Sequence, residues 1–259
     1  MSATVLLVGG FGNLGGRIAA HLSQFQDHQI VLASRKKQAA PLWAKDAQTI
    51  QLDVTDPTTF TNIPKSVNCI VQLAATNDVD SAQNPELART VTTEGTASLL
   101  NAAIHNGIER FVYFSTAHVY GAPLQGVFTE SSPTHAVHPY ATTHLEAESV
   151  VAAAHERGDI QGIRVRLSNG FGRPMAYEAA DWRTLTSDLC RQAVVEKRME
   201  MRTDGLQERN FITKTDVARA VQHLIALPTS LISDGLFNLG GSQSQSLLAM
   251  ATTIQERAQ

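Results

Sequence analysis

The chain has 259 residues, 43% of them hydrophobic and 17% charged, with a formal net charge of −3. That composition supports a buried core and excludes a largely disordered chain. The balanced charge, without long basic or acidic runs, argues against nucleic acid or an anionic membrane as partner. Two cysteines, Cys69 and Cys190, make no disulfide framework, so a reducing, cytoplasmic setting is expected. The opening MSATVLLVGG runs straight into an apolar strand and reads as neither signal peptide nor membrane span.

Short apolar runs alternate with helical patterns, which predicts an α/β fold: a Rossmann-type, doubly wound, mostly parallel sheet with helices on both faces. Strands are expected over residues 4–8, 28–33, 49–52, 67–73, 110–114 and 161–167. Helices are expected over 13–26, from Pro85 to His105, and over 140–157. Gly107 reads as the stop of the second helix, and Pro139 as the start of the third. Beyond residue 168 the alternation loosens. Short strands are expected at 199–202, 209–212 and 235–239, and helices at 215–227 and 247–258.

The segment Gly9-Gly10-Phe11-Gly12-Asn13-Leu14-Gly15 joins the first strand to the first helix. Gly9, Gly12 and Gly15 are spaced to allow a tight turn, close approach of backbone to a pyrophosphate, and close packing of helix on strand. The helix N-terminus then offers free N–H groups and a positive dipole end to the phosphates, with Asn13 and Leu14 first in line. After an N-terminal strand and before a helix, this pattern predicts an adenine dinucleotide. Residues 1–168 are therefore read as the dinucleotide-binding domain. Residues 169–259 are read as a reduced substrate lobe, interleaved with the last sheet strand so that the two form one structural unit.

The second strand should end at the adenosine ribose. It offers no acidic residue there but Ser34, Arg35 and Lys36, a set that suits a 2′-phosphate and favours NADP over NAD. Asp53 ends the third strand and can accept from the adenine amino group, or simply cap its own turn. Val54, then Ala74 and Ala75 after the fourth strand, complete the expected cofactor edge.

Several segments together resemble the extended short-chain dehydrogenase/reductases, the NAD-dependent epimerase/dehydratase family. They are GGFGNLG, LDVTD, QLAAT, FVYFSTAHVYG, PYATTH, RVRLSNGFGRP, RNFITKTDVARAV and FNLGG, in family order over residues 3–241. The resemblance implies a seven-stranded sheet with a small C-terminal substrate lobe. It places the family's catalytic Ser/Thr on Thr116 and its catalytic tyrosine on Tyr140. In the family this tyrosine moves a proton to or from the substrate oxygen while nicotinamide moves a hydride. The family's lysine, four residues on, lowers the tyrosine pKa and bonds the nicotinamide ribose. Here that position is His144, which at neutral pH is a weaker aid to a tyrosine whose ordinary pKa is about 10. A family asparagine of the same relay is Thr92.

Three readings of this site stay open: Tyr140 and Thr116 active with His144 substituting, a site that binds cofactor but turns over poorly, or packing residues alone. The resemblance also implies substrate contacts at His118, Asn169 and Arg209. The acidic residues that nucleotide-sugar 4,6-dehydratases carry after the threonine are here Ala117 and His118, which disfavours that reaction. The spacing of His118, His135, His138 and His144 fits no zinc pattern, so no metal is expected. Helices like those over 85–105 and 140–157 pair in the family's dimers, which implies a homodimer. The expected function is an NAD(P)-dependent oxidoreductase or epimerase acting on a hydroxyl or carbonyl group, with a sugar nucleotide among the candidate substrates. The alternative is a dinucleotide-binding regulatory or scaffold protein with little turnover.

Overall fold

The first strand carries both faces of the sheet in its sequence. In the computed structural model, which describes residues 3–258 apart from 177, 178, 180, 181 and 183, β1 spans Ala3–Val8. Val5 and Leu7 enter one hydrophobic core, Leu6 and Val8 another. A strand that is apolar at both parities is covered on both faces, as parallel sheets are. The chain continues through α1 (Asn13–Leu22), β2 (His28–Ser34), β3 (Gln48–Gln51) and β4 (Cys69–Gln72). Next come α2 (Asp78–Gln83), α3 (Pro85–Ala88), α4 (Gly95–His105), β5 (Arg110–Thr116), α5 (Pro139–Glu156) and β6 (Gln161–Leu167). The remainder is β7 (Asn169–Phe171), α6 (Leu185–Arg191), β8 (Glu208–Thr213), α7 (Lys214–Ala226), β9 (Leu236–Leu239), β10 (Ser244–Ser246) and α8 (Leu247–Ala258).

Seven strands form one parallel sheet in the order β3-β2-β1-β4-β5-β6-β9. Ile18 and Leu22 of α1 and Val217 and Val221 of α7 fill the core on one face. Leu99 and Leu100 of α4 and Val151 of α5 fill the other. The order turns back between β1 and β4, which opens a crevice at the carboxyl ends of the strands. A second, mixed sheet, β10-β8-β7, is built from the C-terminal third of the chain. Strand β9, between β8 and β10 in the chain, joins the main sheet beside β6. Among the described residues no helix is long and apolar enough to cross a membrane.

Three expectations need correction. The strand expected at 199–202 does not form: this stretch has no ladder partner, and the Glu200 amide donates to the Gln192 side chain at 2.7 Å. The helix expected from Pro85 to His105 is interrupted by a wider, π-type turn over Arg89–Glu94, and α2 precedes it. The interruption leads into Gly95, where a Cβ would lie 2.9 Å from Val54 Cγ2, so the chain passes tightly over the end of β3. Helix α1 ends four residues early, at Leu22, as the Ser23 amide closes on Ala19 O and a turn carries the chain to β2.

Candidate active site

The glycine loop is shaped by contacts that only glycine allows. Gly9 adopts φ +88°, a left-handed conformation, and the Gly12 amide donates to Gly9 O at 2.9 Å. A Cβ at Gly15 would collide with Gly9 O and stand 2.8 Å from Gly10 Cα. A Cβ at Gly9 would stand 3.2 Å from the Ala74 amide, so the end of β4 lies against the loop. Gly12 caps α1 without a side chain, leaving the first amides of the helix for an anion. This glycine cradle therefore fits the diphosphate of a dinucleotide. Lys214, only 4% exposed, reaches it from α7: its Nζ donates to Asn13 Oδ1 at 2.6 Å and to Gly172 O at 2.7 Å.

The carboxyl ends of β2, β3 and β4 line the same edge. Ser34 ends β2, and its hydroxyl accepts from the Lys36 amide and the Gln38 side chain. Arg35 and Lys36 are exposed. Asp53 Oδ1 accepts from the Thr55 amide at 2.9 Å and the Thr55 hydroxyl at 2.8 Å, so this carboxylate does cap its own turn. Val54 is buried under Gly95. Thr92 is buried too, within 3.5 Å of the Thr76 hydroxyl just beyond Ala75.

Thr116 ends β5, and Tyr140 is in the first turn of α5, whose N-cap His138 accepts the Tyr140 amide through Nδ1. The Thr116 hydroxyl, which accepts from the His118 amide at 3.2 Å, is close enough to the Tyr140 phenol to favour its ionised form. Burial pushes the Tyr140 phenol above its ordinary pKa; the Thr116 hydroxyl opposes this and the Asp78 carboxylate adds to it. His118 stands edge-on to Tyr140, with ring centroids 6.3 Å apart. Burial holds its pKa down, the Arg209 cation adds to this, Asp78 opposes it and His138 adds again. Thr116, His118, His138, Tyr140, Asp78 and Arg209 thus share one electrostatic neighbourhood. Asn169 has a different engagement, donating to Asn210 O at 2.9 Å and tying β7 to β8.

His144 lies one turn beyond Tyr140 on α5, 3% exposed and with its ring 4.7 Å from that of Tyr140. Its Nδ1 is 2.7 Å from the Tyr113 hydroxyl, and its Nε2 is buried with no partner among the described residues. Burial pushes its pKa down to about 3. One turn further, Glu148 is buried against Arg166, with Nη2 to Oε2 at 2.7 Å, and accepts from the Ser115 hydroxyl. This ion pair fixes α5 against β5 and β6, and with it the Tyr140–His144 face.

The family sequence pattern described as NAD dependent epimerase/dehydratase matches residues 5–240. The chain belongs to this family. It is 28% identical to the mouse dTDP-D-glucose 4,6-dehydratase over 96% of this chain and 71% of that protein. It is 26% identical to a UDP-glucose 4-epimerase of Streptomyces lividans over 98% and 81%. Among solved structures, the epimerase Mth375 of Methanothermobacter thermautotrophicus superimposes with a TM-score of 0.87 at 22% identity, covering 99% of this chain and 77% of that one.

Asp78 and Tyr113 join the surroundings of Tyr140, and Lys214 the glycine cradle, without having been singled out in the sequence. Asp78 follows its N-cap Asn77, a pairing that reads as capping alone. Lys214 sits within RNFITKTDVARAV, where Thr213 caps α7. Tyr113 is an inward position of a buried strand, and no sequence signal distinguishes it from core. Among the described residues no group of three His, Cys, Asp or Glu side chains is arranged to hold a metal ion.

The His144 shift has a consequence for stability. In the unfolded chain histidine titrates near 6.5, and in the folded one near 3. Between these values the unfolded chain binds the extra proton, so this contribution is complete above pH 6.5 and is lost as pH falls toward 3. By pH 5 the expected loss is about 2 kcal/mol. Urea denaturation at pH 7 and pH 5 should show it, and His144→Gln should flatten the difference. An equal slope in the variant removes His144 as the cause.

Proposed function

We propose that the chain is an NAD(P)-dependent oxidoreductase or epimerase acting on a hydroxyl or carbonyl carbon of a sugar nucleotide. The observation that carries this is the joint placement of a glycine cradle and the Thr116–Tyr140 pair along one sheet edge of a family member. A bound nicotinamide dinucleotide supplies or accepts hydride. Gly9, Gly12, Gly15 and the amides of Asn13 and Leu14 hold its diphosphate, with Lys214 beside them. Asp53, Val54, Ala74 and Ala75 line its adenosine edge. Thr116 orients the substrate oxygen, and Tyr140 gives or takes its proton. His144 offers Nε2, the nitrogen that Tyr113 leaves free, to the nicotinamide ribose. His118, Asn169 and Arg209 border the substrate, and the Arg209 cation suits its phosphates.

The preference for NADP belongs to the same reading. It rests on the exposed Arg35 and Lys36 beside Ser34, with no acidic residue at the end of β2. Homodimer formation through the α3–α4 stretch and α5 is part of the proposal, and sedimentation at micromolar concentration reads it directly. Calorimetric titration with NADPH, NADH, NADP and NAD tests the cofactor. Micromolar NADPH binding that Arg35→Asp weakens about ten-fold, with NADH unaffected, is expected. No binding of any dinucleotide sinks the enzyme reading.

The second reading, a dinucleotide-binding regulator, is favoured by one feature, the uncharged residue at position 144. A protein that retains bound cofactor but turns over no member of a carbonyl panel decides for it.

A further inference from the structure

The bond between Tyr113 and His144 fixes more than a ring position. Tyr113 is fully buried, and among the described residues its hydroxyl has one hydrogen-bond partner, His144 Nδ1 at 2.7 Å. A buried O–H left without an acceptor is unfavourable, so the tyrosine hydrogen goes to Nδ1. Nδ1 then cannot carry a proton of its own. His144 is the neutral tautomer with its hydrogen on Nε2. Protonating Nδ1 would turn Tyr113 into the acceptor and strand the phenol hydrogen in the core. Position 144 is thereby barred from becoming a cation by geometry as well as by burial.

The groups facing Tyr140 come from several elements. Asp78 is on α2, His118 follows β5, His138 caps α5, His144 lies one turn on, and Thr116 and Tyr113 are on β5. Arg209, on β8, acts on His118. Beside burial, the Thr116 hydroxyl and the Asp78 carboxylate bear on the Tyr140 proton, the first favouring and the second opposing its loss.

We infer that Tyr113, by holding His144 uncharged, keeps Tyr140 as a phenol, so that the resting site is a proton donor ready for carbonyl reduction. This rests on the dinucleotide reading above. In the reduction, a bound reduced nicotinamide dinucleotide would supply the hydride that forms the new C–H bond at the carbonyl carbon. The C=O π pair would move to oxygen, which takes the Tyr140 proton, and water would reprotonate the tyrosinate, leaving hydroxide. The products are the alcohol and the oxidised dinucleotide. Alcohol oxidation needs the tyrosinate instead. Burial holds the Tyr140 phenol above the ordinary tyrosine range, so that form is a small minority near neutral pH. Reduction is therefore independent of pH across the neutral range, while kcat/KM for oxidation climbs ten-fold per pH unit.

The state of both residues can be read without any ligand. Ultraviolet difference titration of the full chain against Tyr140→Phe should show no extra tyrosine ionisation up to about pH 10. Tyrosine labelled with carbon-13 at Cζ reads the same event in the unaltered protein if the variant fails to fold. Nitrogen-15 spectra of His144 should show one neutral tautomer, protonated at Nε2, from pH 5 to 8, and Tyr113→Phe should mix the two tautomers. Ionisation of Tyr140 below about pH 10, a doubly protonated His144, or a tautomer indifferent to Tyr113→Phe overturns the inference. Failure of NADH to bind in calorimetry sinks the dinucleotide reading instead and leaves these spectra to be judged alone.

Discussion

Gly15→Ala is expected to weaken NADH binding by at least about 100-fold and to lower the melting temperature by several degrees. The added Cβ meets only backbone: Gly9 O in collision, Gly10 Cα at 2.8 Å and Gly9 C at 2.9 Å. No side-chain rotation relieves such contacts, so the loop or the start of α1 must shift. Either shift moves the amides that face the diphosphate, and preorganised amides lose their value when displaced. Gly16→Ala is the control, because its new Cβ would meet side chains, Met175 Cβ at 3.3 Å and Trp43 at 3.5 Å. That variant should bind NADH within a few-fold of the parent. Calorimetry and thermal melting on both proteins check the pair. Unchanged NADH affinity in Gly15→Ala removes the glycine cradle from the cofactor site.

The main sheet was legible because its signals are local and repeated. Apolar residues at both parities of β1, β4 and β5 mark strands covered on two faces, and Gly9, Gly12 and Gly15 mark the first crossover. What escaped is shorter or depends on distant partners. Strands β7 and β10 have three residues each and exist through pairing with β8, which no pattern within three residues can announce. The stretch at 199–202 carries a strand-like pattern but finds no partner. Helix α6 was missed because its apolar face is short, and the π turn over Arg89–Glu94 reflects the passage of Gly95 over Val54.

The candidate site divides in the same way. Thr116, Tyr140 and His144 were expected only from the resemblance of FVYFSTAHVYG and PYATTH to family motifs, and they fall on a strand end and on the first two turns of one helix. The groups that bear on protonation here were not recognisable in that role. Asp78 lies 62 residues before Tyr140 and was not singled out; Arg209 lies 69 after it and was expected only as a substrate contact, yet it acts on His118 through the fold. Tyr113 reads as core in the sequence because it is core. Its influence comes from one hydroxyl directed at one ring nitrogen.

Those dependencies make His144→Lys the sharpest test of the site. Lysine places an ammonium one helical turn from Tyr140, where the resemblance puts the family's cation. A cation at that range favours the tyrosinate and should lower the Tyr140 pKa by about 1–2 units. Below the lowered pKa the tyrosinate fraction rises by about 10–100-fold, and the pH-dependent oxidation rate should rise with it. Reduction should change little, because the phenol still predominates at neutral pH. The Tyr113 hydroxyl can accept from the new ammonium only by leaving its own hydrogen without an acceptor, so the variant should lose about 1–3 kcal/mol of stability. Tyrosine titration, urea denaturation and NADH calorimetry on the variant separate these effects. A variant that folds and binds NADH with Tyr140 still ionising where it did before shows that position 144 does not govern the tyrosine. If Tyr140 ionises earlier yet oxidation slows with cofactor bound, the neutral Nε2–H of His144 has a task at the ribose that an ammonium does not perform.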